Sequence, residues 1–140
     1  MQNINLLLRP YQEQDEEQVI NLWYRCNLVM PWNDPKQDIR LKLQVQSELF
    51  LVGLIAAKVV ATIMVGYEGH RGWFNYLAVA PEYQRQGIGK YMVEQATMKL
   101  KSLNCPKINI QIRNSNIDVI QFYDHLGFKI DDVISMGKRL

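Results

Sequence analysis

The segment Leu77-Ala-Val-Ala-Pro-Glu-Tyr-Gln-Arg-Gln-Gly-Ile-Gly-Lys90 predicts a strand that ends at its proline, a short polar loop and a helix opened by two glycines. The first backbone N–H groups of a helix have no acceptor within it and lie at the positive end of its dipole, so they favour an oxyanion such as a pyrophosphate. Gly87 and Gly89 leave room for close approach, and Arg85 and Lys90 add positive charge.

Upstream of this segment, short turns separate apolar runs of strand length. These runs are Leu49–Ile55, Val59–Val65 and Trp73–Ala80. Consecutive strands on short turns favour an antiparallel meander. A further short apolar run, Ile4–Arg9, is ended by Pro10 and predicts a first strand.

Two helices are predicted between the first strand and the meander. The acidic triplet Asp15-Glu16-Glu17 suits a first helical turn, where the helix dipole favours negative charge. Apolar residues then recur at helical spacing, at Val19, Leu22, Trp23 and Cys26. Asp34 as N-cap and Pro35 at the first helical position predict a second helix that reaches about Ser47.

The second half of the chain predicts helices alternating with strands. Gly87 to Leu103 carries apolar residues on one helical face, and Ile108, Ile110 and Ile112 alternate with polar residues as in a half-buried strand. Asn116 begins another helix, which Gly127 is placed to end. Phe128–Met136 is expected to supply a last strand or hairpin. The order βαα-βββ-α-β-α-β indicates an α+β or mixed α/β protein.

Composition limits the class of protein. The chain has 140 residues, 48% of them hydrophobic and 21% charged, with a formal charge of +2. One ordinary domain with its own core is expected, and neither nucleic acid nor a membrane surface is an expected partner. The longest apolar run, Leu49–Ala57, is far shorter than the ~20 residues of a membrane helix. With no basic leader segment at the start, a cytoplasmic location is expected.

The cysteines and histidines do not predict a metal centre. Cys26 and Cys105 are far apart in the sequence and match no ligand spacing with His70 and His125. Two free, partly buried thiols suit a reducing compartment.

The common nucleotide motifs fail on the glycine-rich segment. A P-loop requires glycine where Gln84 stands and Ser or Thr where Tyr91 stands. The dinucleotide fingerprint requires a third glycine at the position of Met92. From these residues alone, the segment is either an oxyanion site or a helix start with two incidental glycines.

Two motifs reproduce those of a known family. The first, Gln84-x-x-Gly87-x-Gly89, matches the Q/R-x-x-G-x-G/A signature of the GNAT superfamily of N-acetyltransferases. The second, Asn116-x-x-Val119-x-x-x-Tyr123-x-x-x-Gly127-Phe128, is similar to the same family's late N-x-x-A-x-x-x-Y-x-x-x-G-F helix, with valine in place of the usual alanine. The stretches Gly69–Gly72, Cys105–Ile108 and Gly137–Leu140 further resemble the small bacterial YpeA-type acetyltransferases. The resemblance covers nearly the whole chain. It implies a single domain over residues 1–140, with a mixed, mostly antiparallel sheet flanked by about four helices.

The resemblance implies acetyl-CoA as cosubstrate, no metal, and a primary amine of a small molecule, protein or peptide as acceptor. The backbone of Leu77, Ala78 and Val79 would bind pantetheine and the acetyl group, and the first of these amides, that of Leu77, would polarise the thioester carbonyl. The pyrophosphate would lie on the loop residues Arg85, Gln86, Gly87, Ile88, Gly89 and Lys90. Asn116 would touch the cofactor, and Tyr123 would protonate the departing thiolate. By itself Tyr123 reads as a core aromatic beside Phe122, and the motif frame favours the catalytic role.

The general base and the acceptor stay open. The two positions at which better-known branches of the family place a glutamate base hold Trp73 and Gln111, which cannot act as bases. Glu68 and His70, in the turn before the central strand, are either candidate bases or polar turn residues without a function. A base that acts through water, or no base at all, is the other alternative. The acceptor is expected near the loop that contains Met30, Trp32, Asn33 and Asp34, where Trp32 is either a platform for the substrate or a cap on the core. A homodimer is compatible with the resemblance.

Two other function classes are compatible with the residues. One is a noncatalytic acyl-CoA-binding regulatory module, which the missing glutamates favour and Tyr123 disfavours. The other is a phosphate-dependent binding protein unrelated to CoA, which the failed nucleotide motifs disfavour.

Overall fold

A computed structural model describes residues 5–140, and Ile4 of the predicted first strand lies outside the described residues. The strands are β1 (Leu7–Pro10), β2 (Phe50–Ile55), β3 (Lys58–Tyr67), β4 (Gly72–Val79) and β5 (Ile108–Asn109). The α-helices are α1 (Glu16–Arg25), α2 (Pro35–Lys42), α3 (Ile88–Ser102) and α4 (Ile117–His125). Short 3-10 turns cover Glu13–Asp15, Ser47–Leu49 and Pro81–Tyr83. The chain divides into two compact units, one reaching Ile110 and the other starting at Gln111.

Over residues 5–140, five strands form one sheet in chain order, β1-β2-β3-β4-β5. The first four strands pair antiparallel, and β5 pairs parallel to β4 at Gly72 and Trp73. The predicted meander is therefore confirmed. The predicted fold class, a mixed and mostly antiparallel α/β sheet, is confirmed as well, with four α-helices among the described residues.

The sheet of the first unit is covered by α1 on one face and by α3 on the other. Trp23 of α1 is fully buried in a cluster with alternate residues of the strands, among them Val52, Val60, Met64 and Ala78. Residues of the opposite parity face α3: a Cβ on Gly53 would lie 3.3 Å from the sulfur of Met92 and 3.4 Å from Ala61. Nearly continuous apolar sequence, as in β2 and in β3 from Val59 to Val65 apart from Thr62, is expected for a sheet buried on both faces.

The helix starts agree with the sequence prediction, but the second helix is shorter than expected. The Asp34 side chain accepts a hydrogen bond from the Gln37 N–H and Pro35 is the first helical residue, as predicted. The expected continuation to Ser47 is wrong, because α2 ends at Lys42 and Gln46 adopts a left-handed φ of 53°. The Gln46 side-chain amide pairs with both backbone groups of Tyr67 at 2.9 Å, which fixes this turn against β3.

Two strand predictions in the last third are corrected by the structure. The strand expected through Ile112 is only Ile108–Asn109. Residues 128–136, expected as a strand or hairpin, contain no helix or strand, and their apolar side chains are exposed at Ile130, Val133, Ile134 and Met136. The adjacent aspartates Asp131 and Asp132 interrupt the alternation that a half-buried strand requires.

The buried hydroxyl of Thr62 joins α1, β3 and β4. Its Oγ1 accepts a hydrogen bond from Trp23 Nε1 at 2.9 Å and donates one to the carbonyl of Tyr76 at 2.8 Å. Thr62 is completely inaccessible to solvent. Both partners would therefore lose a hydrogen bond that water cannot replace if the hydroxyl were removed.

We predict that Thr62→Val lowers the free energy of unfolding by about 1–3 kcal/mol, although valine has nearly the same shape, because a buried donor and a buried acceptor lose their partner. Thr62→Ser keeps the hydroxyl and should lose much less. Urea denaturation followed by circular dichroism measures both variants. Equal stability of Thr62→Val and wild type would contradict this account of the hydroxyl.

Candidate functional site

A β-bulge near the end of β4 sets the geometry of the predicted cofactor strand. Thr62 pairs with Ala78 and Met64 pairs with Asn75, so that Ile63 alone opposes both Tyr76 and Leu77. The extra residue reverses the side-chain alternation. In a regular strand Phe74 and Ala78 would face the same side of the sheet, because an even number of positions separates them. Instead, Ala78 lies in the cluster with α1, and Phe74 is buried outside that cluster.

Tyr76 carries the strain of the bulge. Its φ is 52°, in the left-handed region that a non-glycine residue occupies at a penalty of about 1–2 kcal/mol. Its ring stacks on Trp23 with centroids 3.8 Å apart, its carbonyl accepts from Thr62, and its hydroxyl donates to the Asp38 carboxylate at 2.5 Å. These contacts stabilise a conformation that the sequence does not favour.

After the bulge, the backbone groups of Val79 point away from β3. Val79 pairs with Ala61, and the next N–H, that of Ala80, donates to the Val60 carbonyl at 2.8 Å. Because neighbouring residues of an antiparallel ladder direct their backbone groups to opposite edges, the N–H and C=O of Val79 face the edge on the β5 side. Within residues 5–140, the pairing of β5 ends at Trp73, so no strand covers this edge at Val79.

The carbonyl of Val79 is engaged on that edge, which leaves its N–H as the group that can meet a ligand oxygen. Gln84 Nε2 donates to this carbonyl at 2.9 Å and the Cys26 thiol donates to it at 3.3 Å. Burial raises the pKa of Cys26, which keeps the thiol protonated and able to donate. Gln84, the first residue of the signature, thus fastens the loop to the end of β4.

The loop then turns sharply into α3. Arg85 and Gly87 both have left-handed φ values, 61° and 87°. The first helical hydrogen bond runs from Tyr91 N–H to the Gly87 carbonyl at 3.0 Å, so the N–H groups of Ile88, Gly89 and Lys90 lie in a first turn without intrahelical acceptors. The Ile88 side chain is buried and anchors this turn. The predicted strand–loop–helix arrangement is therefore confirmed.

Positive charge prevails around the helix start. The first turn of α3 contains no acidic residue, and Gly87 at the N-cap has no side chain to occupy the N–H groups. Arg85 and Lys90 are exposed, and Lys90 lies at a long 3.9 Å from Glu94. Such an exposed pair is weak. The arrangement can attract and bind a phosphate oxyanion.

An exposed ion pair fixes the loop from the other side. Arg25 at the end of α1 pairs with Glu82 in the 3-10 turn that follows β4. The Arg25 guanidinium holds the pKa of the Glu82 carboxyl below its ordinary value. The negative charge of Glu82, the acidic residue in the segment between β4 and α3, is therefore balanced by Arg25.

In the second unit, the late motif forms a defined helix end. The N–H of Phe128 donates to the Tyr123 carbonyl and that of Gly127 to the Asp124 carbonyl, each at 3.0 Å, and Gly127 has a φ of 95°. This is a Schellman motif, whose usual apolar contact is here the edge-to-face packing of Tyr123 and Phe128 at 5.2 Å. The Tyr-x-x-x-Gly-Phe spacing thus has a structural cause of its own.

Tyr123 and Asn116 lie two turns apart on α4, about 10 Å along the helix axis. Burial raises the pKa of the Tyr123 phenol, which therefore stays protonated across neutral pH. Asn116 stands at the N-cap, yet its side chain makes no capping hydrogen bond in the described helix. Its amide is not used to begin the helix.

The candidate bases Glu68 and His70 lie at the far end of β4. The Glu68 carboxylate accepts hydrogen bonds from the backbone N–H groups of His70, at 2.6 Å, and Arg71. The Arg71 and His70 amides hold the pKa of Glu68 below its ordinary value, which weakens it as a base. From this turn to Leu77, β4 extends roughly 15 Å at ~3.3 Å per residue.

The structure therefore brings together one part of the predicted site. Leu77–Val79 and Arg85–Lys90 are joined by the Gln84–Val79 hydrogen bond in the first unit, whereas Asn116 and Tyr123 belong to the second. Tyr76 and Thr62 were not predicted as site residues. A lone threonine in the apolar run 59–65 was a usable signal for Thr62, but a left-handed tyrosine has none.

No metal centre accompanies the site in the part of the chain that the structure describes, since no three His, Cys, Asp or Glu residues are grouped to hold an ion. Over the same residues, none of the helices has both the length and the apolar character needed to cross a bilayer.

Comparison with known proteins gives consistent matches. Residues 16–128 match the model of the acetyltransferase (GNAT) family. The chain is 45% identical over 134 residues to acetyltransferase SG1711 of Sodalis glossinidius (strain morsitans), covering 95% of this chain and 94% of that protein.

Solved structures share the fold at low sequence identity. Ard1 from Thermoplasma volcanium matches with a TM-score of 0.78 at 18% identity, over 91% of this chain and 85% of that chain. The NatC complex bound to Gag peptide and CoA matches with a TM-score of 0.76 at 20% identity, over 88% of this chain and 84% of that chain.

We predict that Gly87→Val weakens CoA binding at least tenfold, because a β-branched side chain is strained at a φ of 87° and would shift the backbone of the helix start. Gly69→Val is the matched control: Gly69 has a φ of 101° and open space around it, at the opposite end of β4. Titration calorimetry with CoA, beside denaturation curves, should show similar destabilisation in both variants but lost affinity only in Gly87→Val. Equal CoA affinities would place the pyrophosphate elsewhere.

Proposed function

The chain belongs to the GNAT acetyltransferase family, and on that premise we propose that it transfers the acetyl group of acetyl-CoA to a primary amine of a small molecule or peptide. The observation that carries this proposal is the Gln84–Val79 hydrogen bond at 2.9 Å. It ties the loop that leads into α3 to the carbonyl of Val79, next to the outward-facing Val79 N–H, so the strand end and the first N–H groups of α3 are fixed near each other.

The residues at the helix start fit a CoA pyrophosphate. The N–H groups of Ile88, Gly89 and Lys90 point out of the first turn of α3, no acidic side chain competes for them, and Arg85 supplies a cation. Bound there, acetyl-CoA supplies an acetyl group already activated as a thioester. Asn116, whose amide is not engaged in capping, is proposed as a further cofactor contact.

The backbone of Leu77–Val79 is proposed to hold pantetheine and to polarise the acetyl carbonyl. A backbone N–H fixed by the bulge is preorganised, so it stabilises a developing oxyanion without having to rotate into place. The Val79 N–H has this character because its neighbouring carbonyl is held by Gln84 and Cys26. The bulge therefore contributes a fixed donor at the end of β4.

Tyr123 is proposed as the proton donor to the departing thiolate. A thiol has a pKa near ~8.5 and a phenol near ~10, so a protonated tyrosine is a suitable partner for the leaving sulfur. Burial raises the pKa of Tyr123, which ensures that the proton is present at neutral pH. The same burial makes the phenol a weaker acid, so a modest rate contribution is expected.

Water is proposed to carry the amine proton, in preference to Glu68 or His70. The Glu68 carboxylate already accepts a hydrogen bond from the His70 N–H, and both residues lie before the start of β4, whereas Leu77–Val79 lies at its other end. Without a dedicated base, deprotonation of a lysine-like amine at pH 7 costs roughly 4–5 kcal/mol, against about 1 kcal/mol for an N-terminal amine. An acceptor with a low amine pKa is therefore favoured.

The finer resemblance to YpeA-type acetyltransferases is also kept as a proposal. Two of its stretches, Gly69–Gly72 and Cys105–Ile108, pack against each other. A Cβ on Gly72 would lie 3.0 Å from the Cys105 sulfur, and the Gly72 N–H donates to the Lys107 carbonyl at 2.8 Å. Their joint presence thus has a packing reason that supports the resemblance.

The alternative of a noncatalytic acyl-CoA-binding module is not favoured, since the named relative at 45% identity is an acetyltransferase. A thiol-release assay over amino acids, polyamines, aminoglycosides and peptides tests the proposal directly. Release of CoA thiol that depends on an amine is expected. Tight acetyl-CoA binding without release from any amine would favour the noncatalytic module.

The pH dependence of this reaction follows from the missing base. With water as the proton carrier, kcat/KM should rise about tenfold per pH unit below the acceptor pKa, because only the neutral amine attacks. The measurement is kcat/KM from pH 6 to 9 with an amine from the screen. A plateau that begins well below the amine pKa would instead indicate an enzyme base.

We predict that Tyr123→Phe lowers kcat by about 10–100-fold and leaves acetyl-CoA affinity nearly unchanged, because the hydroxyl acts on the leaving group in the transition state. Tyr11→Phe is the matched control: Tyr11 is also buried, its ring stacks on Phe50, and burial raises its pKa to about 12. Steady-state kinetics on both variants provide the measurement. Wild-type turnover in Tyr123→Phe would return Tyr123 to a packing role.

A further inference from the structure

The Tyr76–Asp38 hydrogen bond links helix α2 to the bulge of β4. Tyr76 Oη donates to Asp38 Oδ2 at 2.5 Å, across 38 positions of sequence. Burial, followed by the bond to Asp38, raises the pKa of Tyr76, so the phenol remains the donor over the working pH range. The Tyr76 hydroxyl therefore keeps the proton that it donates in this bond.

Contacts from three elements converge on Tyr76. Trp23 of α1 stacks on its ring at 3.8 Å with an interplanar angle of 13°, Thr62 of β3 holds its carbonyl at 2.8 Å, and Asp38 of α2 holds its hydroxyl. The first two would hold any aromatic residue at this position. Only the third requires the hydroxyl of a tyrosine.

The residues on either side of this bond have different roles in the proposed reaction. Tyr76 directly precedes Leu77–Val79, the proposed acetyl-binding backbone, in the bulge that turns Val79 towards the open edge. Asp38 lies on the helix that begins at Pro35, immediately after the loop proposed to line the acceptor. The bond thus ties the acceptor-side helix to the strand that presents the acetyl group.

We propose that Tyr76 and Asp38 are positioning residues for acetyl transfer, fixing the bulge so that the Leu77–Val79 amides stand at the correct place. This inference rests on the proposed function and deepens it. Neither side chain is required to touch the reacting atoms. Their effect should be large on turnover and small on cofactor affinity, because the pyrophosphate would lie on the first turn of α3, which the buried Ile88 side chain anchors.

The test compares four variants in steady-state kinetics and in acetyl-CoA titration. Tyr76→Phe keeps the ring and loses the hydroxyl, Asp38→Leu removes the acceptor, and Asp38→Asn keeps an oxygen that can accept the same bond. Tyr67→Phe is the control, since it removes a tyrosine hydroxyl bonded to the Gly69 carbonyl in the distant turn. All four are assayed well below their melting temperatures.

Tyr76→Phe and Asp38→Leu should lower kcat at least tenfold with the acetyl-CoA Kd within twofold of wild type, and Asp38→Asn should recover most of the rate. Tyr67→Phe should behave as wild type. Unchanged kcat in Tyr76→Phe would overturn the proposal. Asp38→Asn as slow as Asp38→Leu would also overturn it, since the negative charge and not the hydrogen bond would then matter.

A measurement independent of turnover separates this inference from the proposed function. In ¹⁵N-labelled protein, Tyr76→Phe should shift the backbone amide resonances of Leu77 and Val79, while Tyr67→Phe leaves them in place. Unmoved resonances in Tyr76→Phe would overturn the positioning role even if wild-type turnover is normal. If Tyr76→Phe shifts these resonances but the wild-type protein acetylates no amine, the positioning of the bulge is supported and only the proposed function is refuted.

Discussion

The single extra residue in β4 is the constraint on which the candidate site depends. Because Ile63 opposes both Tyr76 and Leu77, the side chains of β4 after the bulge point to the opposite faces from those that a regular strand would give. Without the bulge, Ala78 would face α3 and the backbone groups of Val79 would point into the ladder with β3. The bulge is held by a buried hydroxyl, that of Thr62, and by the stacking of Tyr76 on Trp23. The contacts that pack the core at Thr62, Tyr76 and Trp23 therefore also fix the geometry of the candidate site.

The second requirement is a rigid connection between strand and helix. Gln84 makes this connection with one side-chain hydrogen bond to Val79, and the left-handed residues Arg85 and Gly87 then turn the chain into α3. The Arg25–Glu82 ion pair holds the same loop from α1, although its exposure makes it the weaker tie. Because a helix start and a strand amide are fixed relative to each other, one extended ligand can contact both. A thioester of a phosphorylated carrier has that shape, which agrees with membership of an acetyltransferase family.

Sequence reasoning succeeded where local chemistry determines structure. The glycines and the proline of the segment 77–90 predicted its strand, loop and helix, and Asp34-Pro35 predicted the start of α2. It failed where distant contacts decide. The left-handed Tyr76 depends on Trp23, Thr62 and Asp38, and no local pattern indicates it. The strand predicted over residues 128–136 does not form, because the adjacent Asp131 and Asp132 interrupt the apolar alternation that a half-buried strand requires. The motif from Tyr123 to Phe128 also ends helix α4. Its tyrosine packs against Phe128 at this helix end, so it has a structural role beside the proposed catalytic one.

We propose that the N–H groups at the start of α3 and the N–H of Val79 bind one molecule of acetyl-CoA. A crystal structure of the protein with CoA would test this binding mode. Pyrophosphate oxygens are expected about 2.7–3.2 Å from the backbone nitrogens of Ile88, Gly89 and Lys90, with the pantetheine arm running along the β5-side edge of β4 past Val79. CoA bound with its phosphates away from this helix start, or with its arm off the β4 edge, would refute the proposal.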